Sequence, residues 1–175
     1  MRRDLLWFLA WLAAIGLSLH YGRRVAPWFE GASGTIASGL MALAGLLALI
    51  WSWRRWRSLE PGRRTRAGLT LAAAALGLAW LAWWQPLTIE RTHLFLYGGL
   101  GWTAYRLMRH RLIGAEQAGA ATAVCAGVGL ADEVIQHLHP ERVFDLRDVA
   151  TNTLSAALVI WAAAALGVNR PGNGS

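Results

Sequence analysis

The sequence predicts an all-α protein, a polytopic transmembrane helical bundle of six helices with both termini cytoplasmic. Three observations predict it. Of 175 residues, 55% are hydrophobic and only 15% charged, too few charges to cover a soluble domain of that length. The apolar residues fall in repeated runs of about 20, the length that crosses roughly 30 Å of hydrocarbon. The basic residues, all arginine, gather at the ends of those runs, as topology signals do. One transmembrane domain therefore spans residues 1–175.

Met1-Arg2-Arg3 followed by an apolar run resembles a signal peptide, but His20, Tyr21, Gly22, Arg23 and Arg24 stand where an A-x-A-type cleavage site belongs, so the first helix, about 4–20, is expected to stay uncleaved. The second, about 35–53, ends in Arg54, Arg55, Trp56 and Arg57, and Trp51, Trp53 and Trp56 suit an interfacial aromatic belt. Pro61-Gly62 predicts a break, with Arg63, Arg64 and Arg66 in the loop and a third helix over about 67–84. The fourth, about 92–108, starts near Thr92-His93. The fifth, about 116–137, is stopped by Pro140. The sixth covers about 148–168, before a polar tail that ends at Ser175. The lone cysteine, Cys125, lies inside an apolar run; it offers no intramolecular disulfide and reads as a small buried apolar residue.

With the amino terminus inside, the inner segments hold Arg2, Arg3, Arg54, Arg55, Arg57, Arg63, Arg64, Arg66, Arg106, Arg109, Arg111 and Arg170, twelve of seventeen basic residues. The outer segments keep Arg23, Arg24, Arg91, Arg142 and Arg147. The positive-inside rule thus puts both ends in the cytoplasm. It also accounts for the net charge of +7 without nucleic acid, because these arginines form no phosphate-tracking groove.

The same topology collects the unusual polar residues at the outer rim. Asp132 to Asp148 holds five of the ten carboxylates, and ionisable groups at the end of a lipid-length helix imply partners and a function. His93 and Tyr97 are four apart and share a helix face. Glu133 and Gln136 share another. Arg142, Asp145, Arg147 and Asp148 lead into Asn152 and Ser155, and Asp148, Asn152 and Ser155 step by four and three into one polar stripe. Asp148 sits where a cap or first-turn carboxylate meets the helix dipole. Gly119, Ala123, Gly127 and Ala131, spaced by four, would let a neighbouring helix approach the fifth.

An H-x-x-x-Y helix start, an E-x-x-Q near a helix end, and R-x-x-D-x-x-D-x-x-x-N followed three residues on by a small residue together resemble the VanZ-like family of small bacterial membrane proteins. The resemblance covers residues 90–158. Its signature positions fall on His93, Tyr97, Glu133, Gln136, Arg142, Asp145, Asp148 and Asn152. Glu90-Arg91 stands one residue nearer the histidine than the family's acidic–basic pair, and Ser155 replaces a glycine. The resemblance implies a multi-pass protein of the bacterial inner membrane and cell envelope, related to a founding member linked to resistance to the glycopeptide antibiotic teicoplanin. It implies no settled activity.

Each residue also has an ordinary reading. His93 could cap, Tyr97 could sit in an aromatic belt, Arg142 and Arg147 could only balance the acids, and His137 and His139 read as loop residues. Taken jointly they suggest a site that binds an envelope-lipid or lipid-linked cell-wall precursor headgroup. In that reading Tyr97, Gln136, Arg142, Asp145, Arg147 and Asn152 hold the ligand. The alternative is a hydrolase or transferase acting on such a lipid, with Glu133 or His93 as acid–base and Asp148 setting its charge. A proton-relay transporter fits less well, because the charges gather at a rim rather than at the midplane. No cofactor is expected, nor a metal, since neither H-E-x-x-H nor Cys/His spacing occurs. A homo-oligomer is left open.

Overall fold

The computed structural model describes residues 1–25, 32–85, 88–138 and 144–168. Its six helices are α1 (Arg2–Val25), α2 (Ala32–Arg57), α3 (Pro61–Trp84), α4 (Thr88–Met108), α5 (Gly114–His137) and α6 (Leu146–Ala165), and no strand occurs among the described residues. At 1.5 Å per residue, 20 to 26 residues make rods of about 30–39 Å. Five of them are long and apolar enough to cross a membrane.

The exception, α4, is the axis of the bundle. It packs on α1, α5 and α6 and supplies Tyr97, Leu100, Ala104 and Tyr105 to the core, where they meet Ala121 and Cys125 of α5 and Ala156 and Ile160 of α6. A helix sheathed by protein need not match lipid on every face. Its glycines set the spacing. A Cβ on Gly101 would lie 2.7 Å from the Ala156 carbonyl oxygen and 2.9 Å from its Cα, so α4 and α6 touch backbone to backbone. On another face, a Cβ on Gly99 would run into the Trp11 indole of α1.

Contacts at the helix ends order the bundle. Asp4 at the start of α1 is buried and paired with Arg106, Arg109 and His110 at the end of α4, at 2.9, 2.8 and 2.9 Å. Trp102 of α4 packs edge-on against Trp51 of α2, and Arg55 donates to the carbonyls of Leu166 and Gly167 beyond α6. The starts of α1, α3 and α5 therefore share one end with the finishes of α2, α4 and α6. The start of α4, the finish of α5 and the start of α6 share the other.

Three expectations are corrected here. Pro61 does not break a helix but opens one: α3 begins at it, because proline lacks only an amide that the first turn leaves unbonded anyway. Arg63, Arg64 and Arg66 thus ride on α3, and Arg64 has a structural task. Its guanidinium donates to the Leu59 and Arg57 carbonyls at 2.7 and 2.8 Å, while Trp56 Nε1 donates to the Arg64 carbonyl at 2.8 Å. The second correction concerns α5. Gly119, Ala123, Gly127 and Ala131 are exposed, and nothing lies within 4 Å of a Cβ placed on either glycine. The face that packs is Gln117, Ala121, Cys125 and Gly129. α6 ends at Ala165, earlier than expected: Gly167, at φ 64°, turns the chain so that the Val168 and Gly167 amides bond the Ala163 and Ala164 carbonyls.

Candidate functional site

The last two turns of α5 carry the polar residues inward. Asp132, Glu133 and Gln136 are buried, while Val134 and Ile135 face outward, as a 3.6-residue period requires. Asp132, which the spacing argument passed over, lies at the centre. Its Oδ2 accepts from the Tyr97 hydroxyl at 2.8 Å and its Oδ1 from Gln136 Nε2 at 3.2 Å. Tyr97 and Asp132 are 1% and 4% exposed, so each needs the other to satisfy a polar group held away from water. The sequence carries a signal for it, since Asp132 and Gln136 are four apart and share a helix face.

Glu133, 2% exposed, serves another element: its Oε2 accepts the Asp145 amide at 3.1 Å. It ties the finish of α5 to the start of α6. Asp145 is the N-cap of α6, accepting the Arg147 amide at 2.8 Å. The Arg147 guanidinium closes on both Asp145 oxygens, with bonds of 3.0 and 2.6 Å to Oδ2 and 3.2 Å to Oδ1. That hydrogen bonding holds the Asp145 carboxyl below the ordinary carboxylate range.

The stripe along α6 faces the same cluster. Asp148, in the first turn, lies near His93 of α4. One turn on, Asn152 is buried beside Gly129, where a Cβ would sit 3.6 Å from the Asn152 Cβ and 3.6 Å from the Tyr97 ring. Its Nδ2 finds no acceptor among the described residues. Ser155 Oγ donates to the Leu94 carbonyl at 2.7 Å and pins α6 to α4. His93, Tyr97, Glu133, Gln136, Asp145, Asp148 and Asn152 thus gather at one end of the bundle. Arg142 and His139 lie outside the described residues, and His137 packs edge-on against Phe144.

Beside this cluster a cleft of about 410 Å³ opens between the finish of α3 and the starts of α4 and α6. Its lining is mixed: Trp80, Leu81 and Leu154 are apolar, and Glu90, Asp145, Arg147 and Asp148 are ionisable. Asp148 belongs to both the cleft and the stripe. Tyr97, Glu133 and Gln136 do not line the cleft. Among the described residues no three His, Cys, Asp or Glu side chains converge as a metal ion would require.

Apolar rods of membrane length around a less apolar axial helix, with the buried carboxylates near the helix ends, define a multi-pass helical membrane protein. The VanZ/LLP1 family model matches residues 5–167, nearly the whole chain. The protein belongs to the VanZ/LLP1 family, and the likeness extends beyond residues 90–158 into α1. Neither a curated protein nor a solved structure gives a match.

Proposed function

We propose that the protein binds the headgroup of a cell-envelope lipid or lipid-linked cell-wall precursor at the outer face of the bacterial inner membrane. The observation that carries this reading is the mixed lining of the cleft, in which indole and leucine side chains stand beside ionisable groups. A chain-and-headgroup molecule has that same mixture, and the volume falls within the range of small-molecule sites. The buried network behind it is the scaffold. Glu133 holds the Asp145 amide, Tyr97 and Gln136 hold Asp132, and α6 is thereby fixed in the position that shapes one cleft wall. The distribution of arginines supports placing this end outside and both termini in the cytoplasm.

Acid–base chemistry by Glu133 and His93 on such a lipid has less support, since Glu133 is turned away from the cleft and bonded to a backbone amide. The link of the founding family member to teicoplanin resistance bears on this chain only through the shared class of envelope-lipid ligand. Native mass spectrometry of the detergent-purified protein tests the proposal. One lipid class should co-purify at a fixed stoichiometry and be lost in Leu154→Trp, which enlarges a side chain lining the cleft. An unchanged lipid complement in a Leu154→Trp protein of normal thermal stability refutes it.

A further inference from the structure

We infer that the turn joining α2 to α3 binds the phosphate headgroup of an anionic phospholipid. This turn lies at the end of the bundle opposite the cleft, so it is a second site that does not depend on the first. From Arg54 to Arg66 the chain carries six arginines, and Glu60 is the one acid in α2, α3 or the turn between them. Two of the six are spent on the fold. Arg55 donates to the Leu166 and Gly167 carbonyls, and Arg64 to those of Leu59 and Arg57. Arg54, Arg57 and Arg66 are exposed and Arg63 is half-buried. Among the described residues none of these four is paired with a carboxylate.

Acids elsewhere at this end do not offset them. Asp4 is taken by Arg106, Arg109 and His110. Glu116 opens α5, a helix that packs on neither α2 nor α3. The aromatic residues select the kind of anion. Trp53 and Trp56 stack at 4.9 Å, and the Arg57 guanidinium lies 5.7 Å from the centre of the exposed Trp53 ring. Tryptophan settles where headgroup meets acyl chain, which sets the arginines beside it at the level of the phosphates. One turn back along α2, Leu49 and Ile50 are exposed, and α2 rests only lightly on α3 and α4, so acyl chains can lie against it. A soluble anion would use the arginines alone. A phospholipid engages the arginines, the indole and the leucine surface together, its phosphate oxygens matching the fork of a guanidinium.

The probes are dioleoyl phosphatidylglycerol and dioleoyl phosphatidylcholine, which share tails and phosphate and differ in net charge. Each is titrated into the delipidated full-length protein, with bound lipid counted by native mass spectrometry. The glycerol lipid should bind roughly tenfold tighter, since one arginine near an anionic lipid surface contributes about a fivefold factor. The triple variant Arg54→Gln, Arg57→Gln, Arg66→Gln should lose that preference. A matched triple, Arg2→Gln, Arg3→Gln, Arg111→Gln, removes the same charge from the same end and should keep it. Should the first triple fail to fold, Arg66→Gln alone should weaken the glycerol lipid about fivefold. Equal binding of the two lipids by the wild type, or equal loss in the two triples, overturns the site. Displacement of the glycerol lipid by inorganic phosphate at constant ionic strength, or by poly-glutamate, overturns the lipid assignment in favour of a free anion or an acidic polypeptide.

Discussion

The bond between Tyr97 and Asp132 is the most exacting test of the buried network. Tyr97→Phe removes one hydroxyl and changes little else. At 2.8 Å, with both residues almost fully buried, the bond has a good length and no water to replace it. A typical intramolecular hydrogen bond contributes about 0.5–1.5 kcal/mol, and side-chain bonds between membrane helices average about 0.6 and reach about 1.7. A carboxylate acceptor puts this one in the upper part of that range. Tyr97→Phe should therefore cost about 1.5 kcal/mol. Asp132→Asn should cost a similar amount, because the side-chain amide keeps one acceptor oxygen and sets a donor against the Tyr97 hydroxyl or the Gln136 amide. In the double variant the losses should not add, leaving a coupling of about 1 kcal/mol. Reversible unfolding in mixed detergent–lipid micelles measures all four corners of the cycle. A coupling below about 0.3 kcal/mol, the scatter of independent sites, would show that the two side chains do not meet.

Three further outcomes follow from the geometry. Gly101→Ala should destabilise by about 1–3 kcal/mol, because its Cβ meets the Ala156 backbone rather than a side chain that can move, whereas Gly119→Ala should be silent; thermal melts of the two decide which face of each helix packs. Asp145→Asn keeps a cap but loses the charge, and because the folded carboxyl titrates below its ordinary 3.8, its stabilising share is fully present above that value and disappears as pH falls through the lower folded one. The stability difference between wild type and Asp145→Asn should thus be flat from neutrality down to pH 3.8 and shrink below it; a difference that shrinks already near pH 6 would contradict the pairing. For orientation, a cysteine at Gln85 should react with an impermeant maleimide added outside intact cells and one at Ser58 should not, with buried Cys125 silent in both.

Much of the fold was legible because hydrophobic runs and arginine clusters are one-dimensional signals. Contacts between helices are not. In an alanine- and glycine-rich segment small residues lie on every face, so a four-residue spacing through Gly119 looked as good as the one through Ala121 and Gly129 that packs. Deciding between them needs the neighbour, which Asn152 and Tyr97 supply against Gly129. Asp132 is hidden for a related reason: Glu133 beside it fits the family spacing, while the partner of Asp132 lies 35 residues away. Asp4 reads as part of an ordinary helix start, and its three partners, Arg106, Arg109 and His110, lie more than a hundred positions later. The cluster at the α5–α6 end was visible because its members repeat at helical intervals, which a chain displays before it folds.

The polarity of α4 has a consequence for how the protein reaches its membrane. A segment with His93, Tyr97, three glycines and Arg106, which does not qualify as a span by composition, gains little by partitioning into lipid alone. Its companions α5 and α6 are synthesised after it, so α4 must wait beside the insertion machinery or leave it already paired. A nascent chain cut before α5 should therefore fail to integrate its fourth segment, although the first three would be seated.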